Sequence, residues 1–479
     1  MSALSGLAGA VRRGETTART LVQASLDRIE DRDVEFNAVV ALRASDALAE
    51  ADALDARVAS GVDVGPLAGI PCLIKDMDDV AGMVTTQGSV VLRDAPPATA
   101  DSHATSRLRA AGAIVVGKSN TPEFAAEGYT ANLLFGATRN PWSPAWSPGG
   151  SSGGAGAALA AGLAPLASAS DGGGSVRIPA AFCGLVGLKP TRGVVARRPA
   201  PAWPDMTSDG ALGTSIADVR VQLSVLAGRA AGDPDSHGML AKHRHDEPAS
   251  IIVMPRTSGS APLPDEVAQL LQTAVAAFAD LFGRPLRWID PIEVFGSPSP
   301  DDDWFLLAAA DHVGALGRRW ILDNVDAFHP ASQDFLRYGL TIGIDDYQAA
   351  RHRRFAHTAA LDALLGEHGV MLSPTVGVAG IPADGQDPYG RVGAWPADTY
   401  TCVAQNLTGH PALSVPAGMT SIGVPFGLQV TAPRFHDTWL LDLGARWESA
   451  HPWPDSAPGF SPFTLAAVLD DVAESRSSS

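Results

Sequence analysis

Cysteine is scarce in this 479-residue chain, and the three that occur lie far apart in apolar surroundings, at Cys72, Cys183 and Cys402. An odd number of cysteines without CxxC spacing argues against a disulfide framework and against a cysteine-based metal site. The metalloprotease pattern HExxH is also missing. The sequence therefore predicts three buried, reduced thiols and no metal ion.

Long hydrophobic runs are missing too. No stretch of about 18 apolar residues occurs, so no membrane-spanning helix and no membrane partner are predicted. In MSALSGLAGAVRRGETTA the arginines follow the apolar part, whereas a secretory signal places its positive charge first. With the reduced thiols, this predicts a cytoplasmic location.

Positive charge is in deficit. Lys and Arg number 35 against 52 Asp and Glu, which gives a formal net charge of −17. Because an acidic surface repels a phosphate backbone, we expect no nucleic-acid partner.

What the chain does contain is short apolar runs that alternate with helical patterns. GIPCLIKD and GAIVVGKSN are typical of buried strands, and DSHATSRLRAAG between them has helical spacing. Further strands are predicted at 251–254, 370–373, 412–418 and 426–431. This alternation predicts an α/β fold in which a central, twisted mixed sheet is covered by helices on both faces.

Length alone would allow about three domains. However, the two stretches that resemble linkers, 230–250 and 295–303, are each followed by a new apolar periodic segment. We therefore predict one domain over 1–470, with core motifs at 60–225 and 370–450 and a variable region of helices and loops at about 230–370. The serine-rich end, 471–479, is predicted to be a flexible tail.

GAIVVGKS (112–119) satisfies the P-loop pattern G-x-x-x-x-G-K-[ST], with Gly117, Lys118 and Ser119 at its end. In a P-loop the central residues form a loop whose N–H groups bind phosphate. Here they are Ala-Ile-Val-Val, which favour a strand whose N–H groups are used by the sheet. Nucleotide binding is therefore kept as an alternative, which stabilisation by Mg-ATP would support.

GGSSG (149–153) satisfies G-x-S-x-G, the nucleophile elbow, which requires a strand directly before its serine. The prolines of NPWSPAWSPGG, which precede Ser151, argue against a central strand there. The residues after it, SSGGAGAALAAGL, favour a helix that begins at a serine.

A third motif is the glycine run that ends in a serine at 172–175, within ASDGGGSVRIPAAFCGLVGLKPTRG. Alone, it fits either a tight loop or a set of bare N–H groups beside a nucleophile. Before it stand GPLAGIPCLIKD, AGAIVVGKSNTPEFA and GATRNPWSPAWSPGGSSGGAGAALAAGLAPLA, and after it NLTGHPALSVPAG and GVPFGLQV. In these blocks and their order the chain resembles the amidase signature family of amide hydrolases, over about 15–225 and 370–450.

The resemblance implies that residues 1–470 are one catalytic domain of that family with a Ser–Ser–Lys triad. Ser175 would be the nucleophile, Ser151 the proton relay after a cis peptide bond, and Lys75 the terminal base. A serine hydroxyl needs such a base, and a lysine can serve only when burial lowers its pKa from about 10.4. The apolar residues before Lys75 favour this role over that of a surface lysine beside Asp76.

The same resemblance gives the glycine run a role. Amide attack creates an oxyanion, which preorganised N–H donors stabilise. The donors would be those of Gly172, Gly173, Gly174 and Ser175. Three further residues are expected to support the site: Ser152 by hydrogen bonding, and Asp171 and Arg177 as a pair that braces the loop. Relatives often carry Thr or Ile at the position of Gly172.

By resemblance, residues 125–135 would form one wall of the substrate pocket, and the variable middle region together with residues 380–395 would cover its entrance. The expected lining residues are Ala125, Tyr129, Leu133, Phe135 and Trp395. Because these segments carry few charges, we expect a largely apolar acyl or aryl amide as substrate. Carbamates (urethanes) and esters are alternatives, since the acyl-enzyme chemistry is shared.

Two more functions stay open on the sequence. One is the A-type glutamine-amidase subunit of a tRNA-dependent amidotransferase, which uses the same triad, and the second is a binding protein with an inactive site. No cofactor is expected. The expected partner is a small-molecule amide or carbamate, and the sequence leaves a homodimer open.

Overall fold

Two β-sheets that meet at Ser168 carry the fold. The computed structural model describes residues 2–238, 240, 247–258, 262–385 and 401–477. Four strands form one sheet in the order β1-β3-β2-β6, and eight form the other in the order β11-β10-β12-β14-β13-β8-β9-β7, while β4 and β5 form a hairpin. The strands are β1 Val39–Leu42, β2 Pro71–Lys75, β3 Ile114–Ser119, β4 Ala131–Asn132, β5 Gly136–Ala137, β6 Leu166–Ala167, β7 Ala169–Asp171, β8 Val186–Lys189, β9 Ser208–Gly213, β10 Ser250–Val253, β11 Leu286–Trp288, β12 Gly369–Pro374, β13 Ala412–Met419 and β14 Pro425–Thr431.

The described residues also form sixteen α-helices. They are α1 Ala3–Arg13, α2 Ala18–Arg32, α3 Ala44–Ala59, α4 His103–Ala110, α5 Gly153–Ala160, α6 Arg177–Phe182, α7 Ile216–Leu226, α8 Asp265–Phe282, α9 Pro291–Phe295, α10 Pro300–Leu316, α11 Arg318–Asn324, α12 Pro330–Thr341, α13 Ile344–Leu365, α14 Val403–Thr408, α15 Asp437–Ala450 and α16 Leu465–Ser477. None of them is both long and apolar enough to cross a membrane.

Both sheets are mixed. β2 runs parallel to β3 and β6, whereas β1 is antiparallel to β3. In the larger sheet β10 is parallel to β11 and β12, and the pairs on the other side are antiparallel. Helices α6, α7, α8 and α15 pack against this sheet, as predicted for an α/β fold. The one difference is that the strands predicted at GIPCLIKD and GAIVVGKSN form a second sheet.

Ser168 joins the two sheets. It follows β6, which pairs with β2, and precedes β7, which pairs with β9 in the larger sheet. Its backbone N–H donates to Leu73 O (2.8 Å), and its hydroxyl accepts from the Lys75 N–H (2.9 Å). This crossing brings the end of β2 next to the glycine run that follows β7.

Helix α5 begins directly after the GGSS segment and is buried along its whole length. Its residues are small, and a Cβ at Gly154 would lie 2.4 Å from Asn120 N. The helix can therefore pack directly against the backbone beyond β3. The structure has a helix at this point, as predicted, and no strand before Ser151, so the nucleophile-elbow interpretation is wrong.

The P-loop alternative is also wrong. Residues 114–119 are strand β3, and Lys118 is buried within it. Its ammonium forms an ion pair with Asp76 (3.1 Å) and donates to Thr85 Oγ1 (2.7 Å). The backbone N–H groups that would bind phosphate lie in a strand paired on both sides.

The three cysteines are free and buried, as predicted. The chain end differs from the prediction, because α16 continues to Ser477 through most of the segment expected to be a flexible tail. Asp471 accepts an ion pair from the buried Arg28 of α2 (2.7 Å). That contact comes from the far end of the chain, and the serine-rich composition gave no sign of it.

Candidate active site

Lys75 ends strand β2 and is completely buried. Its Nζ lies 2.8 Å from Ser151 Oγ and donates to Ser170 Oγ at 3.2 Å. Both contacts are with hydroxyl groups. The structure therefore gives this lysine polar neighbours without placing a carboxylate in direct contact with it.

The electrostatic surroundings favour a neutral amine. Burial lowers the pKa of Lys75 to about 7, against the opposing effect of the negative charge of Asp78. Arg197 lowers this pKa further, and Asp171 and Asp209 raise it. Since the ordinary value is about 10.4, a large fraction of Lys75 is uncharged at neutral pH.

Ser151 stands at the junction between the proline-rich segment and α5. The peptide bond from Gly150 to Ser151 is cis, as the family resemblance implied. The neighbouring Ser152 donates its backbone N–H to Ser175 O (3.2 Å) and its hydroxyl to Ser170 O (3.4 Å). Ser152 thus connects the relay segment with the loop that carries Ser175.

The Asp171 carboxylate binds the backbone of the loop at 172–175. One oxygen of its carboxylate accepts from Gly174 N (2.7 Å), and the second accepts from Val176 N (3.2 Å). The N–H of Gly174 is therefore already bound, and its assignment as an oxyanion donor is wrong. The N–H groups of Gly172, Gly173 and Ser175 have no hydrogen-bond acceptor among the described residues.

The predicted pair of Asp171 and Arg177 is present and completely buried, with an N–O distance of 2.8 Å. Burial by itself would raise the pKa of Asp171, but the Arg177 guanidinium outweighs it and holds that pKa well below its usual range. Arg177 also donates to Cys402 O and to the side chains of Gln429 and Asn406. The ion pair of Asp171 and Arg177 therefore stays charged, and it connects the loop at 172–175 to α14 and β14.

Two tryptophans explain the glycines at 172 and 173. A Cβ at Gly172 would lie 2.4 Å from the ring of Trp203, and one at Gly173 would lie 2.4 Å from the ring of Trp304. The two indoles pack edge to face, with centroids 5.5 Å apart, and Trp304 Nε1 donates to Gly172 O (2.7 Å). The lack of a side chain at Gly172 thus makes room for Trp203.

Two cavities meet at Ser175. One, of about 250 Å³, is also lined by Ser151 and Ser170, and we call it the relay cavity. The second, of about 300 Å³, is lined by aromatic residues that include Trp304 and Phe335, and we call it the aromatic cavity. Ser175 is 7% exposed, and its hydroxyl has no hydrogen-bond partner in the described part of the chain.

The predicted substrate-pocket residues divide into two groups. Ala125 lines both cavities, whereas Tyr129 is buried and lines neither, so its assignment to the pocket is wrong. Leu133 is 55% exposed, and neither it nor Phe135 lines either cavity, so these two assignments are wrong. They lie in the turn between β4 and β5. Trp395 lies outside the described residues.

Four residues that contribute to the site were missed. Ser170 contacts Lys75, and its spacing from Ser168 in SAS (168–170), two positions along an extended segment, was a signal that both face the same side. Trp203, Trp304 and His312 line the cavities from segments that are distant in sequence, and no local pattern marked them.

The geometry provides a buried amine, two serines and free N–H donors around one point, which is a set suited to acyl transfer. Among the described residues, no group of three or more His, Cys, Asp or Glu side chains is arranged to hold a metal ion.

Comparisons with known proteins agree with this chemistry. The Amidase family model matches residues 20–286 and 317–441. The chain is 34% identical to the A-type subunit of the glutamyl-tRNA(Gln) amidotransferase of Chromohalobacter salexigens (95% of this chain, 98% of the relative) and 32% identical to an acylamidase of Rhodococcus erythropolis (95% and 96%). A bacterial aryl acylamidase of the amidase signature family superposes with a TM-score of 0.83 at 28% identity, over 93% of this chain and 95% of that relative. The chain thus belongs to the amidase signature family and is an amidase.

Proposed function

We propose that this amidase cleaves amides with a largely apolar acyl or aryl group through an acyl-enzyme on Ser175, with Ser151 as proton relay and Lys75 as base. The observation that carries the proposal is the position of Lys75. It is a completely buried amine 2.8 Å from Ser151 Oγ, and Ser151 lines the same cavity as Ser175.

In the first half-reaction, Ser175 Oγ bonds to the substrate carbonyl carbon. Its proton passes to Ser151 Oγ while the Ser151 proton passes to Lys75 Nζ. The N–H groups of Gly172, Gly173 and Ser175 stabilise the oxyanion that forms. The C–N bond then breaks, and the leaving nitrogen receives a proton from Ser151, which is reprotonated by Lys75.

In the second half-reaction, water attacks the ester formed on Ser175 and gives a proton to the same relay. The C–O bond to Ser175 breaks, the carboxylic acid leaves, and the Ser175 hydroxyl is restored. General-base assistance of this kind contributes typically about 10²- to 10⁴-fold to a rate. The neutral fraction of Lys75 at neutral pH makes it suitable for both steps.

The apolar substrate class follows from the aromatic cavity. The acidic residues Glu127 and Asp334 also line it, and its other walls include the apolar side chains of Ile178, Trp304, Phe305, Phe335 and Val403. Such side chains gain free energy when an apolar group leaves water to contact them, about 25 cal/mol for each Å² buried. Carbamates and esters remain alternatives, because they would give the same type of acyl-enzyme.

A second candidate is glutamine hydrolysis within an amidotransferase complex, since one relative with that name is 34% identical over 95% of this chain. Glutamine would place a polar, charged acyl part at Ser175, which suits the aromatic cavity poorly. Turnover of glutamine and of 4-phenylbutanoyl anilide by the isolated chain separates the two candidates. We expect the anilide to be the better substrate by kcat/KM.

A fluorophosphonate probe followed by peptide mapping tests the nucleophile. We expect the adduct on Ser175, and labelling should disappear in Ser175→Ala. Ser152→Ala is the matched control, because Ser152 is the neighbouring buried serine to which no proton transfer is assigned. An adduct on Ser151, or undiminished turnover by Ser175→Ala, would contradict the proposal.

A further inference from the structure

Helix α10 lies outside the segments that match the family model, since the match stops at 286 and resumes at 317. The helix nevertheless contributes to both cavities at Ser175. Trp304 and Phe305 line the aromatic cavity, and His312, Ala315 and Leu316 line the relay cavity. Membership of the family therefore does not specify how this chain selects its substrate.

The two cavities have different roles for an amide bound at Ser175, provided that the proposed function holds. Ser151 lines the relay cavity and is not among the lining residues of the aromatic cavity. The leaving nitrogen must receive its proton from Ser151. The amine half of the substrate therefore occupies the relay cavity, and the acyl half extends into the aromatic cavity.

Two residues that line the relay cavity, His312 and Trp203, carry a buried side-chain nitrogen without a partner among the described residues, and Trp203 lines the aromatic cavity as well. His312 is 2% exposed, and its Nδ1 has no hydrogen-bond partner among the described residues. The indole N–H of Trp203, which is 6% exposed, also lacks an acceptor there. The two rings pack edge to face, with centroids 5.4 Å apart. A buried polar group without a partner carries a desolvation cost that a hydrogen bond to a ligand would offset, so the two nitrogens are suited to a ligand that pairs with them.

The state of His312 indicates which ligand groups it can bind. Burial lowers its pKa to about 4, so the imidazole is neutral at neutral pH. A neutral imidazole has one N–H donor and one acceptor nitrogen, and the indole adds a donor. Gln87 lines the same cavity with a side-chain amide. The complementary group is one that both accepts and donates, as a carboxamide or a hydroxyl group does.

We propose that His312 and Trp203 bind a hydrogen-bonding substituent on the leaving amine, so that the enzyme prefers amides whose acyl half is apolar and whose amine half is polar. The inference deepens the proposed function and rests on it. It assigns substrate selection to α10 and to the segment that carries Trp203.

The experiment uses four amides, made from two acyl groups (4-phenylbutanoyl and acetyl) and two amines (aniline and 3-aminobenzamide). We expect the wild-type chain to prefer 3-aminobenzamide as the amine, by kcat/KM. His312→Phe keeps an aromatic ring but loses the hydrogen bonds, and should reduce this preference about tenfold, as expected for one hydrogen bond. Trp203→Phe removes the indole N–H and also makes the ring smaller, and its loss of the N–H should act in the same direction.

Phe305→Leu is the matched control in the aromatic cavity, because Phe305 lines only that cavity and its ring contacts are with Phe335 and Tyr338. It should reduce the preference for 4-phenylbutanoyl over acetyl and leave the ratio between the two amines unchanged. If His312→Phe alters the acyl ratio instead, the two cavities are assigned the wrong way round. If the amine ratio stays the same in His312→Phe, or in Trp203→Phe should the first variant not fold, the inference is overturned.

Failure of the proposed function would look different. In that case the wild-type chain would hydrolyse none of the four amides, and the fluorophosphonate would not label Ser175. If labelling and hydrolysis are normal and only the amine preference is insensitive to His312 and Trp203, the inference alone fails.

Discussion

Two buried lysines on neighbouring strands have different surroundings. β2 and β3 are parallel with Ile74 opposite Lys118, so Lys118 faces the same side as Ile74, and Lys75 faces the opposite side. Asp76, two residues after Ile74, lies on the side of Lys118 and forms the ion pair with it. Lys75 and Asp76 are neighbours in sequence, but successive side chains along a strand lie on opposite faces of the sheet. The two side chains are therefore separated.

The comparison shows that burial alone does not make a lysine a base. Both side chains have 0% exposure. Lys118 has a carboxylate within 3.1 Å, which stabilises its charge, whereas the direct contacts of Lys75 are the hydroxyls of Ser151 and Ser170. Of these two lysines, Lys75 is the one that combines burial with the lack of a contacting counter-ion, and that combination favours the neutral amine.

The largest effect that would test this contrast is expected for Lys75→Met. The variant removes the base, so kcat for amide hydrolysis should fall by about three orders of magnitude, within the range found for general bases. The free energy of unfolding should change by only about 1 kcal/mol, because an apolar side chain replaces a buried amine of similar length. Single-turnover kinetics and denaturant unfolding measure the two quantities. Activity within tenfold of wild type would show that another group is the base.

Lys118→Met should show the opposite pattern, a large loss of stability with little change in kcat. It leaves the Asp76 carboxylate buried without its cation, so the free energy of unfolding should fall by about 3 kcal/mol or more. Asp76→Asn in addition should recover much of this loss, because the remaining pair of side chains is uncharged. Denaturant unfolding of the single and double variants measures the effect. If the double variant is as unstable as Lys118→Met, the ion pair is not the cause.

Much of this arrangement could be predicted from the sequence. The strands at 251–254, 370–373, 412–418 and 426–431 correspond to β10, β12, β13 and β14, because buried strands give short apolar runs. The positions of Lys75, Ser151 and Ser175 followed from motif blocks. The structure brings Lys75 to Ser151 and places Ser151 and Ser175 in one cavity, and their catalytic roles stay a proposal.

Some features instead depend on contacts between distant segments. The hydrogen bond from Gly174 to Asp171, which removes one predicted oxyanion donor, is a matter of loop geometry that the glycine run does not encode. Trp304 and His312 come from a helix more than 100 residues after the glycine run, so no local pattern could connect them with it. Leu133 and Phe135 were misplaced because a short hairpin reverses the chain direction.

The smallest expected effect is on the pH dependence of kcat/KM, which tests whether protonation of Lys75 controls the rate. Lys75 acts as a base only when neutral, and burial lowers its pKa to about 7. As pH falls below that value the ammonium accumulates, so kcat/KM should fall about tenfold for each further pH unit, and above it kcat/KM should level off. The folded double variant Lys118→Met/Asp76→Asn should keep this profile, because the two charges that it removes lie on the side of β2 opposite to Lys75. The residual activity of Lys75→Met should lose the profile, and a profile that survives in that variant would mean that a group other than Lys75 controls the rate.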